Sequence, residues 1–141
     1  VLYNEINLKK FTDGRGLLVP IEFSNDDVKK EIPFSVARTY FIIDPTVDAI
    51  RGQHAHLAPN QQVVICLKGS FTLDLEDTSG NKCSVELTDS TTGIHICDPI
   101  WRELRDFSDD CIIAVLSNRH YSEEEYIRNY SDFKSISSTA V

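Results

Sequence analysis

The stretch Arg51-Gly52-Gln53-His54-Ala55-His56 gathers two of the four histidines of the chain into three residues. On a strand, positions i and i+2 point to the same face, so both imidazoles reach into one cavity. An unperturbed imidazole titrates close to neutral pH and both takes and returns protons there. Two of them side by side suit a reaction that moves one proton on carbon and another on oxygen. An aldose–ketose or keto–keto isomerisation through an enediol has that requirement. The same pair also fits a hydrogen-bonded structural role or, with further ligands, a metal site.

Positioning the pair requires strands, and strands dominate the pattern. Short segments rich in Val, Ile, Phe and Thr alternate with polar residues between Gly, Asp, Asn and Pro clusters, which reads as an all-β protein. Strands are expected near 3–9, 17–23, 36–43, 49–55, 61–68, 70–76, 82–88, 93–97, 101–107 and 111–118. Lys68-Gly69-Ser70 marks a tight reversal and Thr78-Ser79-Gly80-Asn81 a looser hairpin. Two places look helical. Ser24 to Glu31 holds a turn or two before Pro33. Ser122-Glu123-Glu124-Glu125 reads as a capping box, starting a terminal helix of about three turns that buries Tyr126, Tyr130 and Phe133 at i, i+4 and i+7. The expected organisation is one domain over residues 1–134 with a frayed tail over 135–141.

Composition narrows the partners. The chain has 141 residues, with 22 Asp plus Glu against 14 Lys plus Arg, a formal net charge of −8. That balance argues against nucleic acid, whose phosphates are held by clustered cations, but leaves room for a small anion met by local positive charge. No apolar run nears the roughly 20 residues of a spanning helix. The start lacks the basic and apolar regions of a signal peptide, so no membrane association and a cytoplasmic location are expected. Cys66, Cys83, Cys97 and Cys111 lie 14 to 17 residues apart without a C-x-x-C pair, and buried free thiols are the expectation. The chain contains no Met, which leaves open a longer parent polypeptide.

A small β-barrel with H-x-H on a strand resembles the cupins, whose metal-binding members add a Glu and a third His. Here Gln62 stands in the place of the Glu and Leu104 in that of the third His, while the Gly93 to Pro99 turn survives. Gln is a poor substitute for a carboxylate and Leu cannot ligate, so neither a metal nor another cofactor is expected. His95, alternating with Ile94 and Ile96, is assigned to the surface or the second face, and His120 to packing or the surface.

Along residues 13–133 the order of motifs resembles one family, the nucleotide-sugar 3,4-ketoisomerases, WxcM-like cupins acting on dTDP-4-keto-6-deoxyglucose. The resemblance rests on Asp13-Gly14-Arg15-Gly16-Leu17-Leu18 with Glu22, Ile32-Pro33-Phe34-Ser35 with Arg38 and Tyr40, and Arg51-Gly52 before His54-Ala55-His56. It continues in Gln62 with Gly69-Ser70, Pro99-Ile100-Trp101 with Glu103, Asp106-Phe107-Ser108, and Tyr126-Ile127-Arg128 with Tyr130 and Phe133. It implies a fold, an all-β cupin jelly-roll closed as a small β-barrel with a short C-terminal helix. It also implies a reaction, migration of the keto group from C4 to C3 toward a 3-amino-3,6-dideoxyhexose of a bacterial surface glycan. His56 is the implied carbon base and His54 the shuttle between oxygens, with the reverse left open. Tyr40 and Arg51 are candidates for steadying the enediolate, Gln62 for a sugar oxygen or His54, Trp101 for stacking on the thymine or walling off the sugar, and Arg15, Arg102 and Arg105 for the diphosphate. A homodimer, with N-terminal strands exchanged between subunits, is implied, while a free-standing enzyme and one half of a longer chain fused to an acyltransferase domain both stay open. A deoxysugar 3,5-epimerase-like cupin and a non-catalytic sugar-nucleotide-binding module remain the competing readings.

Overall fold

The computed structural model describes residues 2–22 and 31–136. The turn expected after Ser24 lies outside them up to residue 30, as do Phe23 of an expected strand and the tail over 137–141. Among the described residues the strands are β1 (Asn4–Asn7), β2 (Phe11–Asp13), β3 (Gly16–Leu18), β4 (Arg38–Ile43), β5 (Arg51–His56), β6 (Gln61–Lys68), β7 (Phe71–Glu76), β8 (Lys82–Leu87), β9 (Thr92–Cys97), β10 (Trp101–Arg105), β11 (Ile112–Ser117) and β12 (Tyr126–Ile127), followed by helix α1 (Tyr130–Ile136). They form two five-stranded antiparallel sheets, ordered β1-β9-β6-β11-β4 and β12-β5-β10-β7-β8, and a separate β2-β3 hairpin.

The expected closed barrel does not form. One sheet ends at β1 and β4, the other at β12 and β8, and among the described residues no ladder joins an edge of one to an edge of the other. The physical reason lies at the corners. From β4 to β7, and again from β8 to β11, each connection passes from one sheet to the other. The strands stop there instead of bending through with their hydrogen bonds intact. Left-handed backbone at Asp44, Gly69 and Asp106 (φ 50, 77 and 56) marks three of these stops. At Gly69 a side chain would be strained and would have to displace Ser108 Oγ and the Asp110 carboxylate.

Side chains, not ladders, close the space between the sheets. Alternation sends Val64, Phe71, Leu73, Leu75, Ile94, Ile96, Leu104, Ile113 and Val115 into a shared apolar layer. The opposite face of β6 is also covered, because Val63 and Ile65 pack with Leu8, Ile32 and Leu116 beneath the N-terminal segment. His95 lies on this second face as expected, but buried, bonded to Gln61 Oε1 through Nε2 (2.9 Å) and to Asn4 through Nδ1 (3.3 Å). The four thiols are free. Cys66 and Cys111 are buried, whereas Cys97 is exposed and Cys83 half-buried, contrary to the expectation for that pair.

The C-terminal helix begins later than the capping pattern predicts. Ser122 makes no side-chain cap, Glu123–Glu125 form a single 3-10 turn, and the chain then straightens into β12. Two ladder partners explain the change: Tyr126 sits opposite His56 and Ile127 opposite Ala55, pairing backbone that a helix would leave bare beside β5. Asn129 caps α1 instead, its Oδ1 accepting from the Asp132 N–H at 3.1 Å. Phe133 anchors the helix against Trp101 and Ala55. Among the described residues no helix is long and apolar enough to cross a membrane.

Candidate active site

A bulge in β5 sets the histidines. Arg102 pairs with His54 and Glu103 with Gly52, so Gln53 is an extra residue on β5, with φ 54 beside Gly52 at φ 81. Only glycine fits at 52, because a Cβ there would meet the Arg102 carbonyl oxygen at 2.9 Å. Past the bulge, His54 and His56 share a face with ring centroids 4.8 Å apart and nearly perpendicular. Tyr126, delivered by β12, touches both rings at 4.9 and 4.3 Å.

These groups stand at one end of the sandwich, around a cavity of about 320 Å³ between the sheets. The β4-containing sheet supplies Arg38, Tyr40 and Gln62, and the other sheet Arg51, His54 and Arg102. Tyr121, Tyr126 and Arg128 complete the wall from the segment after β11. Four of the seven arginines line this space and, among the described residues, no acidic residue does. At Arg128 the neighbouring Glu123 carboxylate is paired with the guanidinium at 2.5 Å. Arg38 stacks on Tyr40 (5.0 Å to the centroid) and donates to the Tyr126 hydroxyl at 3.3 Å, while its Nε is buried without a partner.

Burial and these cations keep the histidines neutral. Burial, seconded by the nearby Arg102 charge, pulls His54 down to about 4 and His56 to about 2. Burial likewise pushes the Tyr40 phenol up, so it stays a hydrogen-bond donor. The tautomer of His54 follows from its partner. Nδ1 lies 2.9 Å from the Gly52 carbonyl oxygen, which only accepts, so Nδ1 carries the proton and Nε2 the lone pair. That Nε2 is buried with no protein partner, and neither ring nitrogen of His56 has one. Such an arrangement is equipped to take a proton from a bound molecule and return it. Arg38, Arg51 and Arg128 are placed to meet an anion.

Not every residue expected at the site lies there. His54, Tyr40, Arg51, Gln62 and Arg102 line the cavity, and His56 packs on His54 behind them. Trp101 does not, because β10 alternates: Arg102 and Leu104 face inward, while Trp101, Glu103 and Arg105 face outward. Trp101 packs on Tyr130 and Phe133 and donates from Nε1 to Glu103 at 3.0 Å. Arg105 pairs with Asp74 and Asp106 on the outer surface. Arg15 is on the β2-β3 turn, its side chain 91% exposed and paired with Asp13. Arg102 is only 3% exposed, and its terminal nitrogens are spent on Gln62, Asp98 and the Ile100 carbonyl, so it is no free diphosphate ligand. Leu104, in the position of a third metal-ligating His, is part of the apolar wall. Among the described residues no cluster of three or more His, Cys, Asp or Glu is placed to hold a metal ion.

Arg38, Tyr121, Tyr126 and Arg128 were not expected as lining residues. The signal for the last two was the alternation Tyr126-Ile127-Arg128, which a helical reading of that segment conceals.

Comparison with known proteins is consistent with this geometry. Residues 3–138 match the family described as FdtA: WxcM-like, C-terminal. The TDP-4-oxo-6-deoxy-alpha-D-glucose-3,4-oxoisomerase of Aneurinibacillus thermoaerophilus is 42% identical over 130 residues, 92% of this chain and 88% of that protein. Among solved structures, the sugar 3,4-ketoisomerase QdtA of Thermoanaerobacterium thermosaccharolyticum, in complex with TDP, superposes with a TM-score of 0.89 at 34% identity, over 99% of this chain and 96% of that one. The TDP-fucose-3,4-ketoisomerase WlaRA of Campylobacter jejuni gives 0.85 at 30% identity, over 100% of both chains.

Proposed function

The chain belongs to the FdtA, WxcM-like C-terminal family, and from that premise we propose that it isomerises a TDP-linked 4-keto-6-deoxyhexose, moving the keto group from C4 to C3. It is a sugar-nucleotide 3,4-ketoisomerase working by histidine-mediated proton transfer. The observation that carries this reading is the pair of neutral histidines, 4.8 Å apart, at a cavity walled by arginines.

The chemistry balances without an outside oxidant. The C4 ketone acidifies the C3 proton; a base removes it while an acid protonates the C4 oxygen, giving a 3,4-enediol. Reprotonation at C4 and loss of the O3 proton leave the ketone at C3. The His54 tautomer supports Nε2 of His54 as the carbon base and His56 as its partner between the oxygens, the reverse of the roles the family resemblance implies. Tyr40, held protonated by burial, is suited to donate to the enediolate oxygen, where charge grows in the transition state. Arg38, Arg51 and Arg128 suit the diphosphate, since a planar guanidinium offers paired donors to phosphate oxygens. Gln62 and Leu104 at the positions of metal ligands argue for a reaction independent of metal.

A homodimer belongs to the same proposal. All six residues of β2 and β3 are exposed, including Phe11 and Leu18 at 61% each, and an isolated hairpin has little stability of its own. A second copy accepting this N-terminal segment would cover it. Such an exchange is also the route by which Arg15, outside its own cavity, would meet a bound diphosphate.

The test is incubation with TDP-4-keto-6-deoxyglucose and a 3-aminotransferase, with the product read by NMR, in chelator and without it. A 3-amino sugar at equal rates in both is expected, and the spectrum gives the configuration at C4. Solvent deuterium at C3 and C5 with the carbonyl still at C4 would mean an epimerase. TDP binding without turnover would mean a binding module.

A further inference from the structure

Behind the histidines lies a buried ionic contact that the proton transfers leave unused. The Asp98 side chain is fully buried and that of Arg102 is 3% exposed. Oδ1 of Asp98 accepts from the backbone N–H of His56 (3.2 Å) and of Ile100 (3.1 Å), and is paired with Arg102 Nη2. Arg102 Nη2 also donates to the Ile100 carbonyl at 3.0 Å, and Nη1 donates to Gln62 Oε1 at 2.8 Å. A guanidinium only donates, so Gln62 must turn its oxygen toward it. The Gln62 Nε2, with two hydrogens to give, then points the other way. It is buried, lies beside the Tyr40 phenol without completing a hydrogen bond in the protein, and belongs to a side chain lining the cavity.

A buried donor without a partner is costly unless something fills its place. A flipped amide would set Nε2 against the guanidinium N–H groups, so Arg102 fixes which end of Gln62 faces the cavity. Arg102 in turn depends on Asp98, because a buried guanidinium without its counter-ion would leave its site.

We propose that Asp98 is a positioning residue for the reaction: through Arg102 it locks the Gln62 amide with Nε2 toward the cavity, as a donor to an oxygen of the bound sugar. The same Oδ1 accepts from the His56 backbone N–H, a contact that the amide oxygen of Asp98→Asn keeps, so that variant tests the link to Arg102 and Gln62. The sugar as the acceptor rests on the ketoisomerase reading; the locking of Gln62 does not.

The experiment separates the two. In ligand-free protein, the Gln62 side-chain amide pair is identified by 15N NMR from its loss in Gln62→Leu. Two dispersed protons are expected in the wild type, collapsing toward the solvent-averaged position in Asp98→Asn with the β6 backbone signals in place. Arg102→Lys keeps a charge for Asp98 but cannot grip Gln62 as well, and is expected to give the same collapse; it decides the matter if Asp98→Asn does not fold. An unchanged Gln62 pair in either folded variant overturns the proposal. With TDP-4-keto-6-deoxyglucose, Asp98→Asn and Gln62→Leu are each expected to lower kcat/KM by about 10- to 100-fold, and the double variant by no more than threefold further. Losses that multiply would mean that Asp98 acts independently of Gln62, and overturn it. Loss of turnover in the wild type itself would sink the ketoisomerase reading and leave the amide result to stand or fall alone.

Discussion

His54 owes its readiness as a base to a single backbone oxygen, that of Gly52, which accepts the hydrogen bond from Nδ1–H and leaves Nε2 free. Replacing either histidine with Asn preserves size and some hydrogen bonding but removes the base. His54→Asn and His56→Asn are each expected to lower kcat by about 10²- to 10⁴-fold, with TDP affinity, measured calorimetrically, within a few-fold of wild type. Retained turnover in both would remove the pair from the mechanism. The pH dependence carries a definite sign. Burial favours the neutral imidazole, so a base held near 4 in place of 6.5 stays unprotonated through mildly acid conditions. The acid limb of kcat/KM is therefore expected well below 6, falling away as pH approaches about 4; a limb at 6.5 would show that the histidines are solvated. Arg38 supplies the matching test of anion binding. Its Nε has no partner in the protein, and Arg38→Met is expected to raise the TDP dissociation constant about tenfold, the size of one lost hydrogen bond to a charged group.

Among the elements, β5 is the one whose irregularity matters. Its bulge at Gly52 and Gln53 lets the strand run against β10 and still turn His54 into the cavity, with His56 packed behind it on the same face. Gly52→Ala meets both a left-handed φ of 81 and the Arg102 carbonyl at 2.9 Å. A loss of about 1–3 kcal/mol in denaturant unfolding is expected from such strain, with activity falling alongside; unaltered stability would mean the bulge rearranges freely. The sequence announced β5 through its H-x-H spacing, but not the bulge, since Gly-Gln reads equally as strand or turn. It also announced the alternation of β10. Trp101 and Arg105 were nevertheless expected at the site, although a strand with Arg102 facing inward must turn both neighbours at i−1 and i+3 outward. Near the C-terminus local signals misled. Ser122 and Glu125 fit a capping box, yet the chain beside β5 had unpaired backbone to satisfy, and ladder pairing of Tyr126 and Ile127 outweighed helix propensity there.

At the scale of the molecule, charge is sorted. A chain of net charge −8 places four of its seven arginines around one cavity, and among the described residues no lysine lines it. The exposed apolar β2-β3 hairpin argues for a second copy, and light scattering is expected to give a dimer's mass. Phe11→Ser with Leu18→Ser is expected to shift it toward monomer; a wild-type monomer would reject the dimer. What the sequence alone determined was local in origin: strand-forming alternation, the paired histidines on one face, the Gln and Leu at positions of metal ligands, and the ordered motifs that mark the family. These depend on spacing along a strand, which the chain carries in itself. Only the tertiary structure decided that the sheets stay open, that Trp101, Arg105 and Arg15 lie off the cavity, and that Arg102 is tied to Asp98 and Gln62. Each of those depends on which distant segments meet, and the pairing of β5 with β10 and β12 is fixed by packing across the whole fold.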